Sequence, residues 1–321
     1  MRLLSSRWFK IAVSLGLFAF LLRSTDISVL KQQLSTARPS LLILAFVGYL
    51  LSQTLYAYKW QVLARPLGFS QSLQSFIIYY FVGMYLNLFA PSTVVGDVGR
   101  GLLLASNGGN TGPALYSVAV DRISGLVMLV WVSASGFLLF GPTILSATLC
   151  YGVIAVAIVS LLAWRGLPYV LQFPLANRPF IKRIVDTLIV PYQENATTLG
   201  YACILSYLLH WFQLSLQVVL AYALNLPVPL WYLMLFIPLV HILSALPLSF
   251  AGIGVREGGY VTFLVLIGVG KDHAFAFGLL WSVLVLGSGL VGGLVLLFSS
   301  EVQVSMKSSQ LSAKQGLRNE D

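Results

Sequence analysis

The sequence predicts an all-α, polytopic membrane protein. Of its 321 residues, 58% are hydrophobic and only 9% are charged, whereas soluble globular proteins carry about 25% charged residues. The hydrophobic residues form long unbroken blocks instead of the alternating segments of about ten residues that are typical of membrane β-barrels. The excess apolar surface must therefore face lipid, and we predict that the blocks are membrane-embedded helices.

The basic residues are scattered among the apolar blocks and give a net charge of +9. They do not alternate with aromatic residues along one polar face, so they do not indicate a nucleic-acid partner. They fit instead the excess of Lys and Arg in cytoplasmic loops that sets membrane topology. The two cysteines, Cys150 and Cys203, lie in apolar runs, where we expect buried free thiols.

Two stretches, about half a chain apart, share one pattern. Pro91–Arg100 reads PSTVVGDVGR, and Pro247–Glu257 reads PLSFAGIGVRE. Each has a hydroxyl residue two positions after the proline, a glycine five positions after it and an arginine nine positions after it. The offset of 156 residues is close to half of the chain, which indicates a duplicated core.

The apolar blocks predict about six full spans and two re-entrant hairpins, or seven to eight apolar segments if each hairpin is counted as a crossing. The hairpins are Leu73–Arg100 and Trp231–Arg256, each interrupted by one of the two matching stretches. We expect Pro238 to break the second hairpin further. The full spans are Ile11–Leu22, Ser40–Tyr58, Ala114–Phe140, Ile144–Trp164, Leu199–Leu224 and Ala274–Phe298. A span requires about 20 residues, so Ile11–Leu22 is short, and we expect Trp8, Phe9, Lys10 and Arg23 to extend its ends at the interfaces.

The distribution of Lys and Arg predicts the topology. If Leu73–Ala90 crossed the membrane fully, the basic loop Arg165–Arg183 would lie outside, against the excess of basic residues inside. A re-entrant hairpin keeps that loop in the cytoplasm together with Lys59, at the end of the second span, and with both termini. Part of the loop, Phe180–Tyr192, is expected to form an amphipathic helix on the membrane surface.

This topology makes the two halves an inverted repeat. Ser40–Tyr58 runs inward, whereas its counterpart Leu199–Leu224 runs outward. The halves are then related by a pseudo-two-fold axis in the membrane plane. We predict a single integral membrane domain at residues 1–300, with repeats at about 40–164 and 199–298, followed by a polar cytoplasmic tail at 301–321.

The interrupted hairpins predict a basic polar pocket near the bilayer centre. Backbone at membrane depth must be buried in protein or line water when its hydrogen bonds are not made within a helix. An arginine costs about 3 kcal/mol or more in lipid, so Arg100 and Arg256 require a partner, a cavity or an anion. The residues expected to interrupt the helices are Pro91, Gly96, Gly99, Pro247, Gly252 and Gly254.

The candidate substrate-binding residues can be interpreted in more than one way. Arg100 and Arg256 either pin the hairpin ends through nearby carboxylates or bind an anion. In a mixed case, a substrate phosphate displaces the carboxylates. Adjacent residues on a helix point about 100° apart, so Asp121 and Arg122 are each expected to find a partner on another segment, such as Arg100 or Glu257. The candidates are Asp97, Arg100, Asp121, Arg122, Arg256 and Glu257.

No pattern indicates catalysis, a cofactor or a metal. His210, His241 and His273 lie on separate segments without the spacing of metal ligands. No nucleophile elbow, phosphate-binding loop, dinucleotide fingerprint or zinc-protease motif occurs. We therefore expect neither an enzyme nor a bound cofactor. Four glycines of the last span are expected to form a packing face: Gly287, Gly289, Gly292 and Gly293.

Three motifs together resemble a known family. They are PSTVVGDVGR (91–100), VDRISGL (120–126) and PLSFAGIGVRE (247–257). They are similar to the flippase-like family, also called the lysylphosphatidylglycerol synthase transmembrane region, over roughly residues 8–300. GIGVRE is the most specific part. The family commonly carries Glu-Arg where this chain has Asp121–Arg122.

The resemblance implies an integral plasma-membrane protein that moves polar-headed or polyprenyl-type lipids between leaflets. Related members accompany lysyl-lipid synthesis, hopanoid localisation or glycan-lipid assembly, so lipid- or glycan-synthesis enzymes are expected partners. In the lysyl-lipid members, aminoacyl transfer belongs to a separate soluble domain. This sequence ends in a short polar tail, so we expect that activity to be absent.

Three hypotheses remain at this stage. The first is a lipid translocator whose pocket holds an anionic headgroup or a polyprenyl phosphate. The second is a membrane-embedded transferase, or its accessory subunit, that acts on a lipid phosphate. That chemistry requires clustered carboxylates, and only Asp97, Asp121 and Glu257 are available. The third is a scaffold without transport.

Overall fold

The computed structural model consists of helices and short connections over the residues that it describes, which are 26–89, 94–106, 109–140, 147–170, 185–245 and 254–299, with the single residues 23 and 182. The predicted span Ile11–Leu22, the tail 301–321 and the positions Pro91, Pro247 and Gly252 lie outside them. The described helices are α1 (Ile27–Ser35), α2 (Pro39–Ala64), α3 (Leu73–Phe89), α4 (Val94–Ser106), α5 (Thr111–Phe140), α6 (Ala147–Val170), α7 (Val190–Glu194), α8 (Ala196–Ala223), α9 (Leu230–Ala245), α10 (Val255–Val265) and α11 (Lys271–Phe298).

Four of these helices are long and apolar enough to cross a membrane: α2 with the 3-10 turn that follows it, α5, α8 and α11. Each has 28 or 29 residues, and at 1.5 Å per residue it exceeds the hydrocarbon core of about 30 Å. They coincide with four of the predicted spans, and α6 occupies the position predicted for Ile144–Trp164. The chain is therefore an all-helical membrane protein.

Two pairs of shorter helices occupy the positions of the predicted hairpins. α3 and α4 have 17 and 13 residues, so they span about 25 Å and about 20 Å. They pack antiparallel, because Asn87 contacts Gly96 and Gly83 contacts Arg100. α9 and α10, with 16 and 11 residues, also pack on each other. No helix in either pair reaches across the core by itself.

Two glycines that were expected to interrupt the first hairpin lie inside a regular helix. Gly96 and Gly99 belong to α4, so the expectation that they loosen the helix is wrong. They instead allow close packing, because a side chain at Gly96 would overlap the Gly83 carbonyl and one at Gly99 would press on Leu86. Gly254 is a true break: its φ of 85° places it in the left-handed region just before α10.

Two other local expectations are wrong, and a third is met in part. α9 continues through Pro238, because the loss of one helical hydrogen bond there does not end the helix. α2 continues past Lys59 to Ala64, so Lys59 lies within the helix and not at its end. Of the segment Phe180–Tyr192, expected to form an amphipathic helix, the part from residue 185 onward is described and is helical, with a π-helix at Val185–Ile189 followed by α7. It packs on α2, where the Tyr192 hydroxyl donates to the Leu63 carbonyl at 2.6 Å.

The contacts made by the helices of the first half have counterparts among the helices of the second half. α2 packs against α8 at the interface of the halves. α3 packs on α11, and α5 packs on α9. Within the halves, α4 packs on α5 and α10 packs on α11. The equivalent helices of the two halves are α2 and α8, α3 and α9, α4 and α10, and α5 and α11. Exchanging the two members of every pair gives the same set of contacts.

The contact between α3 and α11 depends on glycines, as predicted from their spacing. Gly289 lies against Leu88, and Gly293 lies against the ring of Tyr85. A side chain at Gly292 would overlap the carbonyl of Phe81. Small residues let the two backbones approach closely in an environment where no hydrophobic effect drives the helices together.

Replacing Gly292 by alanine should therefore destabilise the protein by about 1–3 kcal/mol or more, since the added methyl group meets backbone that cannot rotate away. Thermal unfolding in detergent, followed by intrinsic fluorescence, measures the effect. The matched control is Gly200→Ala in α8, where a methyl group meets open space and helix propensity favours alanine by about 0.5–1 kcal/mol. Equal melting temperatures for the two variants would contradict the close approach.

Candidate functional site

A cavity of about 260 Å³ lies among α2, α3, α4, α5, α10 and α11. Three arginines line it, Arg100, Arg122 and Arg256, together with Asp97. Arg100 and Arg256 are the equivalent arginines of the two matching stretches, so the fold brings them to one cavity. The rest of its wall is partly polar, with Tyr49, Gln53, Tyr80 and Asn87, and partly apolar, with Met84, Leu88, Val285 and Leu286.

Arg100 is held from four sides. Its Nη2 donates to Asp121 Oδ2 at 2.8 Å, and its Nε donates to Asp97 Oδ1 at 3.2 Å. The guanidinium carbon lies 4.6 Å from the ring centre of Trp60 and 4.8 Å from that of Tyr80, both within the range of cation–π attraction. The side chain is only 2% exposed, so its position is set before any ligand arrives.

One nitrogen of this arginine remains unsatisfied. Nη1 of Arg100 is buried and has no hydrogen-bond partner within the part of the chain that the structure describes. A buried donor without a partner costs about 1–3 kcal/mol, and more when it is charged. Nη1 gains a partner only if a ligand or a neighbouring group comes within hydrogen-bond distance of this buried atom.

Asp97 connects Arg100 to a second arginine, Arg122. Arg122 donates from Nε to Asp97 Oδ2 at 2.7 Å and from Nη2 to Asp97 Oδ1 at 2.9 Å, the bidentate geometry that makes such pairs strong. Its side chain is 49% exposed, so Arg122 lies at the open side of the site. Asp121 and Arg122 thus both find their partners on α4, in agreement with the expectation from their adjacent positions.

Lys59 is a member of the site that the sequence did not reveal. It is 1% exposed, and its Nζ lies 2.8 Å from Asp121 Oδ1 and donates to the Asp121 carbonyl at 3.0 Å. Its position at the end of an apolar run predicted a cytoplasmic residue. The available signal was the sequence after it, which continues without a helix breaker to Ala64 and thereby places Lys59 within the helix.

In the second half, Ser282 connects the two predicted charged residues. Arg256 Nη1 donates to Ser282 Oγ at 3.2 Å, and the Ser282 hydroxyl donates to Glu257 Oε1. Glu257 Oε2 accepts from the backbone amide of Gly254 at 2.6 Å. Glu257 is fully buried and caps the first turn of α10, where a carboxylate also complements the helix dipole.

The predicted site residues therefore form two layers. Arg100, Arg122, Arg256 and Asp97 line the cavity. Asp121 and Glu257 lie behind it, where each binds a residue of the lining. With Lys59 included, the described residues of the site comprise four cations and three carboxylates, which leaves one positive charge among them.

His210 and His241 form hydrogen bonds that do not involve the charged residues of the site. His210 lies between the Tyr56 hydroxyl and the Gly125 carbonyl, at 3.2 Å and 3.0 Å. His241 lies 2.8 Å from the amide nitrogen of Gln217. Among the residues that the structure describes, no three side chains of His, Cys, Asp or Glu are grouped as they would be around a metal ion.

The chain also matches a family as a whole. The sequence model described as the lysylphosphatidylglycerol synthase TM region matches residues 7–293. The chain belongs to this family. The match confirms the resemblance carried by the three motifs, and it identifies a membrane protein of a family related to membrane-lipid modification. No curated protein matches the sequence.

Removal of the Asp121 carboxylate should destabilise the protein strongly. Asp121→Ala leaves Lys59 and Arg100 as two buried cations that have lost their shared partner, which typically costs about 3–5 kcal/mol. Arg122→Gln, which breaks a half-exposed pair, should cost about 1 kcal/mol or less. Thermal unfolding of the purified variants in one detergent compares them. Similar losses would show that the buried pairs of Asp121 do not dominate the stability of the site.

Proposed function

We propose that the protein moves a lipid with an anionic headgroup between the leaflets of the plasma membrane. The observation that carries this proposal is the cavity in which Arg100, Arg122 and Arg256 meet. Arginine is well suited to bind phosphate, because its planar set of donors matches the geometry of the oxygens. The membership of a lipid-related family supports the same class of substrate.

The size of the cavity suits a headgroup and not a whole lipid. Its volume of about 260 Å³ lies below the range of about 300–1,000 Å³ for pockets that enclose drug-sized ligands. The apolar part of its wall includes Leu286, whose side chain is exposed. We propose that the headgroup occupies the polar part while the acyl or prenyl chains leave beside Leu286 and remain in lipid.

In this mechanism, Asp97 is the partner of Arg100 and Arg122 while no substrate is bound. Its carboxylate accepts two hydrogen bonds from Arg122 and one from Arg100, so an entering phosphate competes with it for the same donors. Arg122 is half exposed at the open side of the site, whereas Arg100 Nη1 is buried. The phosphate would therefore take Arg122 from Asp97 first and reach Arg100 afterwards, which corresponds to the mixed alternative, in which a phosphate displaces the carboxylates.

An inverted repeat provides a route for alternating exposure. The exchanged contacts, with α3 on α11 and α5 on α9, are those expected if a pseudo-two-fold axis relates the halves. In transporters of this kind, one half rocks against the other around a central site. We propose that the α3–α4 hairpin enters from the cytoplasm and the α9–α10 hairpin from outside, with both termini in the cytoplasm.

The contacts of the carboxylates favour transport over group transfer. Asp121 binds two cations, Asp97 binds two arginines, and Glu257 caps a helix. A transferase acting on a lipid phosphate needs a carboxylate placed as a base or grouped for a metal, and these three are engaged in other contacts. Partners among lipid- or glycan-synthesis enzymes remain compatible with a translocator that delivers their product.

Transport should depend on Arg256. In proteoliposomes with a leaflet-resolved assay, wild-type protein should accelerate the movement of an anionic phospholipid over protein-free vesicles. Arg256→Ala should slow it by about 10- to 100-fold, because a charge-assisted hydrogen bond contributes about 1.5–3 kcal/mol. The matched control is Arg38→Ala, an exposed arginine outside the cavity. Equal rates with and without protein, across a panel of lipids, would disprove translocation.

The topology can be tested with single cysteines at exposed loop positions. In a background with Cys150 and Cys203 replaced by alanine, Leu266→Cys, just after α10, should react with an impermeant thiol reagent from outside, and Asn110→Cys only after the membrane is opened. Both side chains are exposed and border the ends of helices. Gly99 and Gly254 are poorer positions, because one is crowded and the other has a positive φ. Reaction of both cysteines from one face would contradict the inverted repeat.

A further inference from the structure

Lys59 is a buried cation that touches the site only through another residue. Its ammonium group contacts the side chain and the carbonyl of Asp121, and it is not part of the cavity wall. A packing role alone does not require a charge at this position, because an apolar side chain of similar length fills space without the desolvation cost of an ammonium group. The charge of Lys59 therefore calls for an explanation beyond packing.

The charges around Lys59 form an alternating chain that ends in the cavity. Asp121 lies between Lys59 and Arg100, and Asp97 lies between Arg100 and Arg122. The chain begins on α2, behind the cavity, and reaches the exposed side of Arg122. Each carboxylate is shared by two cations, so neither carboxylate neutralises Arg100 completely. Asp121 therefore does not neutralise Arg100 alone, and Nη1 of Arg100 is buried without a partner within the described chain.

In the second half, the charged residues of the site that the structure describes offset each other. Arg256 and Glu257 carry opposite charges and both bind Ser282. The single positive charge of the whole cluster is therefore the excess of the alternating chain, in which three cations face two carboxylates. Without the charge of Lys59 the cluster would be neutral.

We propose that Lys59 sets the headgroup charge that the cavity accepts, and that the cavity is matched to a headgroup with one negative charge, of the phosphodiester class. This inference rests on the proposed transport function and specifies its substrate. A monoanionic phosphodiester neutralises the cluster, whereas a zwitterionic headgroup leaves its positive charge unbalanced in surroundings of low polarity, where such a charge is costly. Lys59 acts as a positioning residue, because its effect reaches the ligand through Asp121 and Arg100.

The test uses the full-length protein in proteoliposomes and two lipids with the same fluorescent acyl chain: phosphatidylglycerol, which carries one negative charge, and phosphatidylethanolamine, which is zwitterionic. The measured quantity is the ratio of their transport rates. We expect wild-type protein to favour phosphatidylglycerol by at least about tenfold, which corresponds to about 1.4 kcal/mol. Lys59→Met should bring the ratio close to one, while Lys59→Arg should preserve it.

A double variant separates charge from structure. In Lys59→Met combined with Asp121→Asn, one cation and one carboxylate are removed together, so the cluster regains its single positive charge. We expect the preference for phosphatidylglycerol to return to within about threefold of the wild-type ratio, since a factor of three is less than 1 kcal/mol. A purely structural Lys59 would instead give a double variant that is at least as impaired as the single one.

The possible outcomes are distinct. If Lys59→Met slows both lipids equally and leaves their ratio unchanged, the inference is overturned while the transport function stands. If wild-type protein moves neither lipid, the transport function fails. Thermal stabilisation of the detergent-purified protein by each lipid then still decides the inference: stabilisation by phosphatidylglycerol that is lost in Lys59→Met supports charge matching, and equal stabilisation by both lipids overturns it.

Discussion

The carboxylate of Asp121 lies between two cations from different helices, and the architecture of the site depends on it. Lys59 reaches it from α2 and Arg100 from α4, while Asp121 itself belongs to α5. A buried carboxylate or ammonium group is tolerated only when its charge and its hydrogen bonds are satisfied by neighbours. The three helices are consequently held in one relative position, and that position turns Arg100 toward the cavity between the rings of Trp60 and Tyr80.

Close packing of glycines provides the second constraint. The contact of Gly83 with Gly96 brings α3 against α4, and the contact of Gly292 with Phe81 brings α11 against α3. These approaches place Asp97 and Arg100 on the same side as Ser282 and Arg256, although the residues come from opposite halves of the chain. In a membrane such contacts depend on van der Waals packing and not on the hydrophobic effect. The cavity therefore exists because small residues recur at the helix crossings.

Several features of the fold and the site were accessible from the amino-acid sequence. Hydrophobic blocks predicted the long helices, because lipid requires continuous apolar segments of a set length. The repeated Pro, Gly and Arg pattern predicted that Arg100 and Arg256 belong to related positions. Local rules failed where tertiary contacts override them. Gly96 breaks no helix because it serves packing, and Lys59 is not an exposed loop residue, because it is buried within α2 against Asp121.

What the sequence determined by itself is the class of the protein and the identity of its unusual residues, since composition and helical length are properties of the chain alone. The pairing of those residues was decided only by the tertiary structure. Asp121, Lys59 and Arg100 are separated by tens of positions, and no periodicity connects them; they meet because three helices cross at one place. The surplus positive charge of the cavity arises in the same way, because a charge count becomes meaningful only after the fold has brought the charges together.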